Sequence, residues 1–390
     1  MNPLYNPFSP GAGSQPPELA GREDLLDKAL LTLARVKRGR SEKSFLLVGL
    51  RGVGKTVLLK NMGDLAKKEG YQVIKIEAHE KKSLAALLLP ELRKILFELD
   101  VGERVSAKVK KAFRVMVSFV SKIKLSVQDL DFGVDLEPER GVADSGDLES
   151  DLAQVFLAVA EAAQDRNTAI GLIIDEMQYL SEEELSALIM AMHKISQENL
   201  PLVLIGAGLP QLVGKAGRSK SYAERLFDYP EVGSLKPEDA RDALQKPVER
   251  EGVSFTAAAL DQIVKVTEAY PYFLQEWGYQ AWNLAKESPI DLEVAHRATE
   301  AALRRLDDNF FRVRFDRLTP REKDYLSALA KLGSDSQRSG TIADGLGVDV
   351  QNAAPIRNSL IKKGMIYSPN HGDTAFTVPL FEGFMKRVIE

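Results

Sequence analysis

A chain of 390 residues is longer than one hydrophobic core usually organises, so two or three domains are expected, and 44% hydrophobic with 28% charged residues is ordinary for a globular protein. The absence of cysteine excludes disulfides, zinc knuckles and thiol nucleophiles, and four scattered histidines cannot build a metal cluster. A net charge of −4 excludes a uniformly basic coat for nucleic acid, so any such contact needs a local patch. No apolar run approaches the ~18 residues that span a bilayer. Met1 to Pro17 lack the basic-then-apolar order of a secretory signal, so a cytoplasmic protein without membrane contact is expected.

In chain order, residues 1–20 are rich in Pro, Gly, Ser and Asn and read as a flexible arm. Glu23 to Arg35 has helical apolar spacing, and Phe45 to Val48 is a short buried strand. Thr56 to Lys68 is helical with Gly70 as its C-terminal cap, and Val73 to Ile76 is the next strand. Leu84 to Leu99 is helical. Ile123 to Val127 and Leu130 to Leu136 read as a hairpin inserted at about residues 120–138, with Lys122 and Lys124 on it as edge lysines that oppose aggregation. Leu148 to Ala163 is helical again, and Ala169 to Ile174 is a continuous apolar strand suited to burial on both faces of a parallel sheet. Ser181 and Glu184 form a capping box for a helix with one apolar stripe, and Leu202 to Ile205 is a further strand. Strands alternating with helices predict an α/β domain over residues 21–234, with a parallel sheet covered on both faces.

Beyond Leu235 the strand signals stop. Four helices are expected at Pro237–Glu251, Thr256–Thr267, Pro271–Lys286 and Leu292–Leu306, forming an all-α lid over 235–306. Residues 307–390 show three short helices and then two strands, Met365–Ser368 and Thr374–Val378, about an Asn370–Asp373 turn, the pattern of a winged helix.

Gly49-Leu50-Arg51-Gly52-Val53-Gly54-Lys55-Thr56 fits GxxxxGK[ST] at each fixed position and lies between a strand and a helix. In such a P-loop the glycines let backbone N–H groups turn towards the phosphates, Lys55 bridges the β and γ phosphates and Thr56 ligates Mg²⁺. ATP with Mg²⁺ is therefore the expected ligand, bound by Gly49 to Val57. Asp175 closes the strand ending at Ile174, where it can support the metal, and Glu176 can orient or deprotonate the attacking water.

With these two motifs in this order, the chain resembles the AAA+ (ASCE) P-loop ATPases, specifically the Orc/Cdc-like initiators and the STAND signalling ATPases of prokaryotes, over nearly its whole length. The resemblance implies that Pro16 to Glu23, with Gly21 and Arg22, lies against adenine. Where relatives end a strand in a polar sensor this chain has Gly206-Ala207-Gly208, and Pro271 in Ala269-Tyr270-Pro271-Tyr272 replaces a lid arginine as an adenine contact. Those two departures predict slow hydrolysis. Arg225, or else Arg218, is placed as an arginine finger reaching a neighbouring subunit, which implies a homo-oligomer.

In the C-terminal module, Ile342 to Gly347 reads as the second helix and turn of a helix-turn-helix, and Pro355 predicts a helix start capped by Asn352. Ile356 and Leu360 then face the core, while Arg357, Asn358 and Lys362 project outward as for a helix entering the major groove of double-stranded DNA. From Phe310 onward there are 12 Lys and Arg against 9 Asp and Glu, a local excess of +3 that favours such a contact modestly. The expected function is an ATP-dependent switch acting on DNA. The alternative is a STAND-like signalling ATPase whose winged helix holds a protein partner.

Overall fold

The computed structural model describes all residues except 12, 101–105, 123–136, 371 and 390. The chain divides into two compact units, one of residues 24–48 and 55–231, the other of residues 1–23, 49–54 and 232–390.

The first unit is built on a parallel sheet. In chain order it has α1 (Glu23–Lys37), β1 (Ser44–Val48), α2 (Lys55–Lys68), β2 (Tyr71–Glu77), α3 (Leu84–Leu99), α4 (Ala107–Lys122), α5 (Leu148–Asp165), β3 (Ala169–Asp175), α6 (Glu182–Gln197), β4 (Leu202–Gly208), α7 (Gln211–Ser219), α8 (Ala223–Leu226) and β5 (Phe227–Asp228). The strand order is β2-β3-β4-β1-β5, and every pairing is parallel. All of β4 and all of β3 up to Ile174 are buried, as strands covered on both faces must be. Because β4 separates β1 from β3, the carboxyl ends of β1 and β3 flank the Gly206-Ala207-Gly208 end of β4. That edge is where open α/β sheets place ligands. The capping box of Ser181 and Glu184 forms in full, which fixes the start of α6.

The insertion differs from expectation. Residues 120–122 end a helix rather than begin a hairpin, and Lys122 sits in the last turn of α4. Val109, Ala112, Phe113, Met116, Phe119 and Val120 recur at helical spacing along α4 and are buried in the core cluster with α3, α5 and α6. The expected strands at 123–127 and 130–136, with Lys124, lie outside the described residues.

The second unit contains α9 (Pro237–Glu249), α10 (Ala257–Val266), α11 (Pro271–Leu284) and α12 (Leu292–Leu306), then a π-helical turn (Asp307–Phe311), α13 (Arg312–Phe315) and α14 (Pro320–Leu332). It closes with β6 (Gln337–Arg338), α15 (Ser339–Leu346), α16 (Val350–Lys362), β7 (Ile366–Tyr367), β8 (Asp373–Phe376) and α17 (Phe381–Ile389). The three short strands form an antiparallel sheet ordered β6-β8-β7. Glu322 ties α14 to α16 by accepting from Ser359 Oγ at 2.7 Å and Lys363 Nζ at 2.7 Å. Burial alone would raise its pKa, but Lys363, Ser359 and Thr319 outweigh that and hold the carboxyl at about 2.

Two expectations are corrected here. Asn352 does not cap the helix: α16 begins at Val350 with Asp349 as its cap, and the Asp349 carbonyl accepts from the N–H groups of Asn352 at 2.9 Å and Ala353 at 3.1 Å. The first turn thus closes ahead of Pro355, anchored by buried Ala353, and the exposed proline is carried inside the helix at the loss of one backbone bond. Nor are residues 1–8 a loose arm. Asn6 Nδ2 donates to Tyr279 O at 3.1 Å and Asn283 Oδ1 at 2.9 Å, Trp282 Nε1 donates to Asn2 O at 3.0 Å, and the Phe8 ring lies over Gly278 of α11, where a Cβ would overlap it. Phe8 is 2% exposed, so Phe8→Ala is expected to destabilise this unit by about 3–5 kcal/mol, read as a lower urea midpoint for the unit's unfolding.

Candidate active site

The loop between β1 and α2 is Gly49–Gly54. Gly52 and Gly54 have φ of 87° and 94°, which only glycine adopts without strain, and Gly49 comes so close to the Val232 carbonyl that a Cβ would overlap it. Three consecutive carbonyls of the loop each accept a hydrogen bond from outside it. Tyr270 Oη donates to Arg51 O, Tyr272 N donates to Gly52 O at 3.2 Å, and the Arg22 guanidinium donates to Val53 O at 3.5 Å. In a trans peptide the C=O and the following N–H point in opposite directions, so each of the N–H groups of Gly52, Val53 and Gly54 points away from the donor on the carbonyl before it. Successive N–H groups turned to one side make an anion-binding nest.

Burial raises the Tyr270 phenol well above its ordinary pKa, which keeps it a donor. Arg22 also donates to Gly233 O; burial lowers its pKa while Asp239 and Glu23 oppose the shift. Gly21, at φ 67°, abuts the Asp239 carboxylate. Arg22 therefore has its contacts on the P-loop and Gly233 backbones. Pro271 is the first residue of α11, where its missing N–H costs nothing. Leu50 is half-buried, Val53 is buried, and the Arg51 guanidinium lies against Gly364, where a Cβ would come within 2.7 Å of Nη2.

In the sheet unit, Lys55 opens α2 and is 7% exposed, with Val57 buried on the same helix. Thr56 Oγ1 donates to Asp175 Oδ2 at 2.7 Å, and Asp175 Oδ1 accepts from Glu176 N at 2.8 Å. Burial pushes the Asp175 carboxyl above its ordinary value; the Thr56 and Glu176 hydrogen bonds and the Lys55 charge pull against it. A hydroxyl and a carboxylate meeting at one point are hard oxygen donors suited to Mg²⁺, which takes few protein ligands and fills the rest from phosphate and water. Among the described residues no cluster of three His, Cys, Asp or Glu could hold a metal alone.

Glu176 stands at φ 53°, ψ 36°, a left-handed conformation uncommon outside glycine, and its side chain caps nothing in the turn Met177–Tyr179 that follows. Its carboxylate instead accepts from Gln178 Nε2. At the end of β4 a Cβ on Gly206 would overlap Met177 Sδ.

Arg225 is exposed on α8, and Arg218 is exposed on α7 at 3.9 Å from Glu182. In the C-terminal module Asn352, Asn358 and Lys362 are exposed, but Arg357 does not project outward. Its Nε donates to Thr374 Oγ1 at 2.8 Å, and its Nη2 to Ser368 Oγ at 2.8 Å and Asp373 O at 2.7 Å, because the β7–β8 hairpin folds back over α16 and offers three acceptors. Sequence reasoning did not single out Tyr270, Tyr272 or Gln178, which contact the candidate site residues Arg51, Gly52 and Glu176. The tyrosines' only signal was their position beside Pro271, and Gln178's was its place two residues after Glu176.

Residues 18–205 match a family model described as an AAA ATPase domain. Residues 308–385 match a second model, described as a domain of unknown function. No curated protein matches the chain in sequence. Among solved structures, a Walker-type ATPase of Pyrococcus abyssi is similar at 18% identity and a TM-score of 0.60, covering 97% of this chain and 99% of that one. That likeness is one of fold. The Aeropyrum pernix Orc1 protein, solved in complex with DNA, aligns at 16% identity and a TM-score of 0.46, covering 95% of this chain and 93% of that one. The Thermotoga maritima RuvB Holliday junction branch migration motor aligns at 16% identity and 0.45, covering 91% and 92%. The five-stranded parallel sheet with flanking helices is the P-loop AAA+ fold. Among the described residues no helix is long and apolar enough to cross a membrane.

Proposed function

We propose that the chain is a nucleotide-dependent switch: it binds Mg-ATP, hydrolyses it slowly to ADP and phosphate, and changes by nucleotide state how its C-terminal module, working as a winged helix, engages double-stranded DNA. The observation that carries this is the seating of a P-loop side chain, Arg51, on Gly364 in the turn between α16 and β7. Burial, and then the charge of Arg51, pull the Arg314 guanidinium of α13 down to about 10, so the P-loop's charge also reaches that helix. A loop that rearranges around phosphates therefore has a mechanical and an electrostatic route into the module.

In this reading Lys55 bridges the β and γ phosphates and the N–H groups of Gly52 to Gly54 cradle them, while Tyr270, Tyr272 and Arg22 hold the loop open from behind. Thr56 and Asp175 would hold the magnesium ion, which neutralises phosphate charge when bound. Glu176 orients the attacking water and accepts its proton. Without a sensor at the end of β4 and with a proline where a lid arginine would stand, less charge is neutralised in the transition state, and turnover is slow. Arg225, exposed on α8, is the candidate to supply that charge to a neighbouring copy in a homo-oligomer. Gly21, Arg22 and Pro271 are proposed to border the adenine.

With Arg357 occupied by the hairpin, the DNA face reduces to Asn352, Asn358 and Lys362. Asn358→Ala with Lys362→Ala is expected to weaken duplex DNA binding by about 1–3 kcal/mol and to flatten its salt dependence by about one unit of slope. Fluorescence anisotropy over a salt series checks this, and salt-insensitive, negligible binding by the parent would reject the DNA reading. The engagement of Arg357 favours a second reading, a STAND-like signalling ATPase whose module grips a protein, because it removes the most base-suited side chain from the exposed face.

A further inference from the structure

We propose that Gln178 is the positioning residue for the Glu176 carboxylate and does the work that a polar side chain at the end of β4 would otherwise do; this rests on the hydrolytic reading given above. Residues 206 and 208 lie two apart on β4 and so share a face of the sheet. Both are glycine, and both are covered by the turn that follows β3. Met177 Sδ fills the space over Gly206, where a Cβ would also come within 2.8 Å of Leu46 Cδ2. Over Gly208 a Cβ would stand 2.8 Å from Leu212 Cδ2 and 3.1 Å from Gln178 Oε1. The side chains missing from the strand end are thus replaced by two from the neighbouring turn, and the polar one is Gln178.

The two ends of that amide are assigned by chemistry. Leu209 N donates to Gln178 Oε1 at 3.1 Å, and a backbone N–H can only donate, so the oxygen must face Leu209 and the NH₂ group must face Glu176. Gln178 Nε2 accordingly donates to Glu176 Oε2. One carboxylate oxygen is held and the other is left to accept a proton from water. Glu176 begins the turn in a left-handed conformation, which brings its side chain and that of Gln178 together two residues apart. The amide therefore spans from the end of β4 to the catalytic carboxylate.

The test compares Gln178→Met and Gln178→Glu in the full chain, with single-turnover phosphate release and ATP affinity measured for each. Met keeps the length but neither hydrogen bond. Glu keeps the acceptor for Leu209 N–H and replaces the donor to Glu176 with a like charge. A positioning role predicts that both variants release phosphate roughly tenfold or more slowly, with ATP affinity within about twofold of the parent. It also predicts that Gln178→Met adds no further loss to Glu176→Gln, since residues acting as a unit are non-additive. Gln178→Glu turning over at the parent rate would reduce Gln178 to a tie for Leu209 and overturn the proposal, as would losses that multiply in the double variant. If Gln178→Met fails to fold, Gln178→Glu alone decides. Failure of the hydrolytic reading shows separately, as equal phosphate release by the parent and Glu176→Gln.

Discussion

Lys55→Ala is expected to weaken ATP binding by about two orders of magnitude or more, about 2.8 kcal/mol. Lys55 sits at the first turn of α2, directly after the glycine loop in sequence, and is 7% exposed. A charge-assisted bond to phosphate from a group held with little freedom is worth more than an ordinary hydrogen bond, and alanine leaves the phosphate charge without its compensating cation. Folding should survive, because alanine favours the helix and no buried acid is left behind facing only the lost lysine: Asp175 keeps its bonds from Thr56 and the Glu176 amide. Titration calorimetry with Mg-ATP, beside circular dichroism of both proteins, reads this directly. Undiminished affinity would remove Lys55 from the site.

Glu176→Gln is expected to retain Mg-ATP while lowering turnover by about 10²–10⁴-fold. The amide is nearly isosteric with the carboxylate, and its oxygen can still accept from Gln178, so the turn Met177–Tyr179 has no reason to shift. What it cannot do is take a proton from water. Because Glu176 caps no helix and holds a backbone conformation uncommon for a non-glycine residue, a purely structural role is poorly supported. Steady-state phosphate release at the parent rate would contradict its assignment as base.

Much of the candidate site could be read in the sequence because its proposed chemistry lies in contiguous residues of fixed type: a P-loop needs its glycines, lysine and threonine in order, and the acids follow directly on an apolar strand. The supporting residues could not. Tyr270, Tyr272 and Arg22 act on Arg51, Gly52 and Val53 from more than 200 residues away or across an intervening strand and helix, contacts that only the fold creates. Gln178 is opaque for a different reason, since its importance comes from what Gly206 and Gly208 lack. The helical period of α4 was present at Val109, Ala112, Phe113 and Met116 but carried on a lysine-rich surface. Arg357 shows the opposite failure: its outward position on an ideal helix was a fair expectation, overridden by a hairpin whose acceptors no periodicity reveals. Likewise Pro355 lies within a helix that starts earlier, at Val350, and Phe8 docks a segment whose composition alone suggests a linker.

Gly364→Ala places a Cβ against Arg51 at a residue with φ 66°, and is expected to leave ATP binding intact while weakening communication from the P-loop to α16. The most direct measurement of a nucleotide switch is hydrogen exchange of Glu176→Gln saturated with Mg-ATP, compared with the parent saturated with Mg-ADP. Exchange should differ between the two states at residues 360–367 and 312–318 as well as at 49–60, by an amount equivalent to about 1–3 kcal/mol of coupling, and the difference at 360–367 should vanish in the Gly364→Ala background. Identical exchange at 360–367 with ATP and ADP bound would contradict a switch read out by the C-terminal module.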